Sequence, residues 1–156
     1  MGLGTLYQDI LTTIETDLKT ITELGDDSGP PIREKVKLYK DNLSVKQGEY
    51  ECVIVPSDMV PVTGVTSHGT WNEFTVHIDL LYWRDRDIDT DNQIAFLKGL
   101  SVAEKIYDKF HLKKLGGLVK LTRASIHPLE GTISQRNVEA IPIRVTLRLE
   151  QPVIQL

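Results

Sequence analysis

Hydrophobic residues recur at spacings of three and four in two segments of the chain, which predicts two amphipathic helices. The first spans about 6–21, after a capping box at 5–8 with Thr5 as N-cap, and Gly25 ends it. The second follows a capping box at 90–93, runs to about Lys113, and is ended by the glycine pair at 116–117. Each helix therefore has one apolar stripe that faces a core.

Alternation of apolar and polar residues predicts four strands, at 50–56, 73–83, 119–125 and 140–150. In the third strand, Arg123 and Ser125 fall in phase with the apolar positions 119 and 121. Pro142 lacks a backbone donor, which favours a strand start or an edge strand.

Three other segments have weaker patterns. Residues 32–43 fit a short strand or an irregular cover over the core, and 128–137 reads as a loop. Residues 57–70 mix Pro and Gly with Val and Thr, which fits either a long loop or an extended hairpin arm.

The element order is helix, strand, strand, helix, strand, strand. We therefore expect one α+β domain over 1–156, with two helices packed on one face of a mostly antiparallel sheet of about four to five strands. The longest apolar runs have four residues, so no membrane-spanning helix is expected. A single cysteine, Cys52, excludes an internal disulfide framework, and its apolar strand suggests a small buried hydrophobe.

Charge is unevenly distributed along the chain. Residues 1–104 hold 9 Lys and Arg against 18 Asp and Glu, a net charge of −9, whereas residues 105–156 hold 9 against 4, a net charge of +5. The overall charge of −4 argues against a dedicated nucleic-acid-binding protein. The two parts would attract each other between copies, in head-to-tail contacts that can close a ring, or the charges are simply scattered over solvated faces.

No catalytic signature is present in the sequence. The glycines at 64 and 69 have the spacing of a phosphate-binding loop, but no lysine follows the second. The aspartates at 85–91 lack the glycine and glutamate that a calcium loop requires, and they read as a solvated turn before a helix. His77 lies two residues from Asp79 on a polar strand face, without an adjacent nucleophile. We therefore predict no catalytic residue, no cofactor site and no metal site.

Six residues are candidates for contacts with another subunit or a partner. Leu81 and Trp83 fall in register with the polar face of their strand, so they would be exposed in a monomer unless the 57–70 segment covers them. Arg144 and Arg148 share one face of the last strand and either pair with Glu73 or Asp79 or face a lumen or a partner. Val62 and Val65 lie on the 57–70 segment, which together with the loops 25–31 and 128–137 is a candidate intersubunit contact.

This order of elements resembles the tail terminator, or tail completion, proteins of long-tailed bacteriophages. The resemblance covers about 3–150 and depends on the first helix, the strands 50–56 and 74–80, the helix 93–110 and the strand 143–149. It implies a hexameric ring that caps the tail tube, ends its elongation and joins the tail to the neck of the head.

The resemblance also implies the location and partners of the protein. The partners would be further copies of the chain, the tail tube protein and a neck or head-completion protein, in the virion. Genome DNA would pass through the lumen without sequence-specific binding, and no membrane or cofactor would be involved. By the same resemblance, related head–tail connector and neck proteins have similar architecture, and another neck adaptor or a minor tail protein is an alternative hypothesis. A small α+β enzyme that uses His77 and Asp79, or a binding module docking through Leu81 and Trp83, are the other hypotheses.

Overall fold

A mixed sheet of six strands forms one layer, and two helices pack against one of its faces. The structure, a computed structural model, describes residues 3–29, 33–38, 43–66 and 69–150. Along these residues the elements are α1 (Leu3–Lys19), a 3₁₀ turn (Thr22–Leu24), β1 (Val36–Lys37), β2 (Tyr50–Thr66), β3 (Gly69–Trp83), α2 (Asn92–Phe110), β4 (Leu121–Pro128), β5 (Ile133–Gln135) and β6 (Val138–Glu150). The predicted α+β class is confirmed.

The strand order across the sheet is β1-β2-β3-β6-β4, and β5 pairs with the other end of β6. Only β1 and β2 run parallel, and the remaining described pairs are antiparallel. The longest pairing without a register shift joins β3 to β6, from Glu73↔Glu150 to Trp83↔Ala140. The two strongly alternating strands of the sequence are therefore neighbours at the centre of the sheet.

The main core lies between the helices and the sheet. Each helix contributes its apolar stripe, and every second residue of the central strands points toward it. The fully buried members with the largest side chains include Ile10, Ile14, Leu18, Ile78, Leu80, Ile106, Phe110, Ile143 and Leu147. This side of the sheet is sealed by apolar packing.

The bounds of both helices differ from the sequence prediction. Because α1 begins at Leu3, Thr5 lies inside the first turn and is not the N-cap. The N-cap of α2 is Asp91, whose carboxylate accepts a hydrogen bond from Ile94 N at 2.9 Å. The C-terminal end of α2 falls at Phe110 rather than near Lys113, because His111 is extended and the following residues hydrogen-bond to Thr122.

Residues 57–66 and 69–70 belong to the paired strands β2 and β3, so of the two alternatives for this segment the structure favours a hairpin arm. The strands β2 and β3 stay paired from Tyr50↔Tyr82 to Thr66↔Gly69, with two register shifts in the distal part. The pairing of β3 with β6 ends at Glu73↔Glu150, so the distal hairpin continues beyond the described pairing with the rest of the sheet.

Three sequence predictions about the last strands were wrong. Pro142 lies in a central strand and not at a strand start or an edge. It is tolerated because its backbone nitrogen, which has no hydrogen to donate, faces the gap between β4 and β5. Its carbonyl oxygen still accepts a hydrogen bond from Leu129 N. The predicted loop 128–137 contains the short strand β5. In β4, Thr122 and Ala124 face the core, and Arg123 points outward.

Candidate functional site

The face of the sheet away from the helices carries most of the candidate residues, and we call it the outer face. It is formed by alternate residues of β2, β3, β6 and β4. Its two halves differ. The closed half, around Leu81 and Trp83, is covered by residues 43–45, and the open half, around His77, Arg144 and Arg148, exposes polar side chains.

Leu81 and Trp83 are buried, so exposure, one of the two alternatives that the sequence left open for them, is wrong. Leu81 is 3% and Trp83 0% accessible, and both belong to a second small core with Val138 and Ala140. Leu43 packs on this core together with Val45, so this segment covers the two side chains. Neither side chain is accessible to a partner in this structure.

The cover is attached to the sheet by Glu51, a buried carboxylate on β2. It accepts hydrogen bonds from Ser44 N at 2.9 Å, Val45 N at 2.7 Å and Trp83 Nε1 at 2.9 Å. The ammonium group of Lys37 lies 3.9 Å away. These donors satisfy a carboxylate that would otherwise be costly to bury. In the sequence, Glu51 is only an acidic residue at the start of an apolar strand, and no local pattern predicts that it anchors the cover.

In the open half, Arg144 pairs with Asp79 directly across β3 and β6. Its Nε and Nη2 donate to the two carboxylate oxygens at 2.7 and 3.1 Å. This two-bond geometry is specific and stronger than a single contact. The hydrogen bond to Asp79 raises the pKa of Arg144. The sequence left three alternatives open for Arg144 and Arg148, which were pairing with Glu73 or Asp79, a lumen or a partner, and the structure shows Arg144 paired with Asp79.

Arg148 makes the second predicted pair, with Glu73, at 2.6 Å from Nη2 and 2.8 Å from Nε. On the neighbouring strand, Arg123 lies 3.6 Å from Glu150. All three arginines of the open half are therefore neutralised by a carboxylate on an adjacent strand. A surface of this kind offers few unpaired positive charges to a phosphate backbone.

Two imidazole–hydroxyl pairs lie side by side between the arginines. His77 Nδ1 is 3.0 Å from Thr146 Oγ1, and His127 Nε2 is 2.8 Å from Ser125 Oγ. Ser125 and Thr146 are opposite each other in the register of β4 and β6. Partial burial, with the neighbouring charges of Arg144 and His127, lowers the pKa of His77, which favours its neutral form.

A serine next to a histidine suggests nucleophilic catalysis, but the third group of such a site is missing among the described residues. In a hydrolytic triad a carboxylate orients the histidine. The nearby carboxylate of Asp79 accepts hydrogen bonds from Nε and Nη2 of Arg144, and no described hydrogen bond joins it to His77 or His127. The arrangement supports a hydrogen-bonded surface better than an activated nucleophile.

The acidic turn before α2 is built by Asp89, which is fully buried. Its carboxylate accepts from Tyr82 Oη at 2.6 Å, from Asp85 N at 3.0 Å and from Lys98 Nζ. Burial alone would raise the pKa of Asp89, but the bonds from Lys98 and Tyr82 outweigh it and the pKa is lowered. Within the described ranges, no three His, Cys, Asp or Glu side chains are grouped so as to hold a metal ion.

The remaining candidates lie elsewhere in the fold. Cys52 is buried in the main core, where burial strongly raises the pKa of its thiol. Val62 and Val65 belong to the distal part of β2, and their side chains lie outside the described residues. The structure thus brings Arg144 and Arg148 together on the open half and separates them from the other four candidates.

Comparisons with known proteins gave no family for this chain. No model of a known protein family matches it, and no curated protein sequence matches it. In the part of the chain that the structure describes, neither helix combines the length and the apolar character needed to cross a membrane.

Proposed function

We propose that this chain is a structural virion protein of a long-tailed bacteriophage. Copies of it would form a ring, hexameric by the resemblance, that caps the tail tube, ends tube elongation and joins the tail to the neck. Genome DNA would pass through the lumen. The described fold supports this proposal because helices on one face of a mostly antiparallel sheet are what the resemblance implies.

The observation that carries the proposal is the hairpin arm. An element that extends beyond the body of a subunit can reach a neighbouring copy in a ring, and β2 and β3 remain paired up to Thr66↔Gly69 after the described pairing to β6 has ended. From Val60 to Thr66 a strand covers roughly 20 Å at about 3.3 Å per residue. By the resemblance, such an arm reaches over a neighbouring subunit or onto the tube.

The open half of the outer face is consistent with contact to passing DNA. Its three arginines each pair with a carboxylate, so the electrostatic attraction that holds DNA on a protein is reduced. A ring that lets DNA pass must not hold it tightly.

The proposal is tested by class averages of the pure protein in the electron microscope, with the solution mass measured over a range of concentrations. We expect rings with a central hole and sixfold symmetry. A mass of one chain at every concentration, together with the absence of rings, would contradict the proposal.

A variant with a shortened hairpin arm tests whether the arm is needed for ring assembly. In this variant, Asn-Gly replaces residues 60–73, so that a two-residue turn connects the paired Met59 and Phe74. Since the helix-packed core keeps its strands, we expect a folded chain with a cooperative thermal transition that no longer forms rings. Unchanged rings from the shortened chain would show that the arm has no part in assembly. A matched control replaces only residues 67–68 with Asn-Gly and keeps the arm.

A further inference from the structure

We propose that copies of this chain meet head to tail through the two ends of α2. The acidic turn 85–91, which carries Ile88, would contact the basic segment 109–114, which carries Leu112, on the next copy. This inference rests on the proposed function, because it names the surfaces through which one ring subunit would meet another.

The acidic end presents an apolar side chain on a fixed turn. Ile88 is 64% accessible, the largest exposure among the large hydrophobic residues of the described chain. The turn is closed by backbone bonds from Ile88 N and Asp89 N to Asp85 O. The buried carboxylate of Asp89 ties it to Tyr82 and Lys98. The turn is thus held with the carboxylate of Asp89 inside the protein and the side chain of Ile88 in the solvent.

The charge around Ile88 is negative. Four aspartates lie within 85–91, and the basic groups beside them are engaged: Arg86 is 3.4 Å from Glu139, Arg84 donates to Asp89 O and Asn92 Oδ1, and Lys98 pairs with the buried Asp89. Asp87 and Asp91 are exposed. An apolar side chain surrounded by acids fits a partner surface that is apolar and basic.

The other end of α2 has that complementary chemistry. Leu112 is 59% accessible, and Lys109, Lys113 and Lys114 beside it are exposed. The sequence has no acidic residue from 109 to 129. The segment is also fixed, because Leu112 N donates to Thr122 O at 2.8 Å and Thr122 N donates to Lys113 O at 3.0 Å.

The backbone conformation at Leu112 is unusual for a leucine. Its φ is 62°, in the left-handed region that Gly, Asn and Asp adopt more readily. The hydrogen bond from Leu112 N to Thr122 O holds this conformation, and the side chain remains 59% accessible. A leucine therefore occupies a position where a small polar residue would suit both the backbone and the solvent.

A single copy cannot join these two surfaces. They flank a helix of 19 residues, which is about 28 Å long at 1.5 Å per residue. A contact between them therefore needs a second copy and leaves one free surface at each end of the pair. Repeated contacts of this type close a ring when the rotation permits, and otherwise form an open filament.

Disulfide cross-linking tests the contact directly. The variant Ile88→Cys/Leu112→Cys places one thiol on each surface, and Cys52 remains buried. On oxidation, we expect a ladder of covalent oligomers that stops at the ring size. The control Ile88→Cys/Ser101→Cys moves the second thiol to an exposed position in the middle of α2 and should give only collisional dimers.

A second variant measures the affinity without cross-linking. Leu112→Asp adds a negative charge opposite the acidic turn, while aspartate suits the positive φ. We expect self-association at least about tenfold weaker, as for loss of a central contact residue, with an unchanged or higher thermal midpoint. Leu97→Asp, at another exposed leucine of α2, is the matched control and should associate like the original chain.

The outcomes separate the two proposals. Rings that form equally well with Leu112→Asp, and no ladder from the double-cysteine chain, would overturn this interface and leave the ring function standing. A ladder without a final size would support the contact and contradict the ring. Monomers in every arm, with no cross-linked product, would overturn both.

Discussion

The two halves of the outer face lie on the same two strands but have different environments. In β3, the closed half holds Leu81 and Trp83, and the open half holds Glu73, Thr75 and His77, all on one side of the strand. The closed half is a second core, whereas the open half is a polar surface with paired charges. Strand alternation assigns a residue to a face of the sheet but does not determine whether that face is buried.

The difference arises from one segment and its attachment. Residues 43–45 cover the closed half, and the carboxylate of Glu51 holds them through two backbone N–H groups. Val45 accepts a φ of 49°, an unfavourable value for a β-branched residue, and its N–H bond to Glu51 helps to hold it there. The open half has no such anchor among the described residues. Stability is therefore concentrated in the closed half, and the open half is available for contacts.

The largest expected effect comes from Glu51→Ala, which would remove the attachment of the cover. Ser44 N, Val45 N and Trp83 Nε1 would lose their acceptor in a buried site, at a cost of about 1–3 kcal/mol for each unsatisfied group. Because water enters as the cover loosens, we expect a total loss of roughly 3–5 kcal/mol in the free energy of unfolding. Urea denaturation followed by Trp fluorescence measures this loss.

Glu104→Ala is the control for that substitution. Glu104 is exposed on α2, so its removal should change the free energy of unfolding by less than about 0.5 kcal/mol. If Glu51→Ala is as mild as the control, the closed half does not depend on this carboxylate.

The second prediction compares the two arginine pairs of the open half. Asp79 is largely buried and takes two bonds from Arg144, whereas Arg148 is 62% accessible where it meets Glu73. In double-mutant cycles with Asp79→Asn/Arg144→Gln and Glu73→Gln/Arg148→Gln, we expect coupling energies of roughly 1.5–3 kcal/mol for the first pair and about 0.2–1 kcal/mol for the second.

The salt dependence of the same cycles sharpens the comparison. Exposed charges are screened by salt more strongly than buried ones. Raising the salt concentration should therefore reduce the coupling of Arg148 with Glu73 by a larger fraction than the coupling of Arg144 with Asp79. Equal coupling energies and equal salt dependence would show that both pairs behave as surface pairs.

Much of the fold could be predicted from the sequence, because it depends on local patterns. Both helical stripes and the alternation of β3 and β6 follow from spacings of three, four and two residues, whereas the pairing of Arg144 with Asp79 depends on the register of these two strands. The short strand β5 could not be predicted in this way, because its three residues are all exposed and show no alternation of apolar and polar positions.

The burial of the closed half depends on contacts between distant parts of the chain. Trp83 lies 32 positions from Glu51, and its indole N–H meets that carboxylate only after β2 and β3 have paired. The position of Leu112 at a positive φ likewise follows from its hydrogen bond to Thr122. No residue pattern near either position indicates these contacts.

The smallest expected effect concerns His77 at the centre of the open half. Partial burial and the charges of Arg144 and His127 lower its pKa in the folded chain. As the pH falls through about 6.5, the usual pKa of histidine, the unfolded chain binds a proton before the folded chain does. The free energy of unfolding should therefore decrease as the pH falls below this value, and His77→Gln should remove part of that decrease.

NMR titration of the imidazole carbons measures the same shift directly. We expect the pKa of His77 below 6.5 and, in the variant His127→Gln, a move upward, because one positive neighbour is gone. A value at or above 6.5 in the original chain would mean that Asp79, the one neighbour acting in the opposite direction, outweighs burial and both cations. In that case the carboxylate of Asp79 would be available to His77 despite its two bonds to Arg144, and the open half would have the imidazole–carboxylate coupling that its geometry argues against.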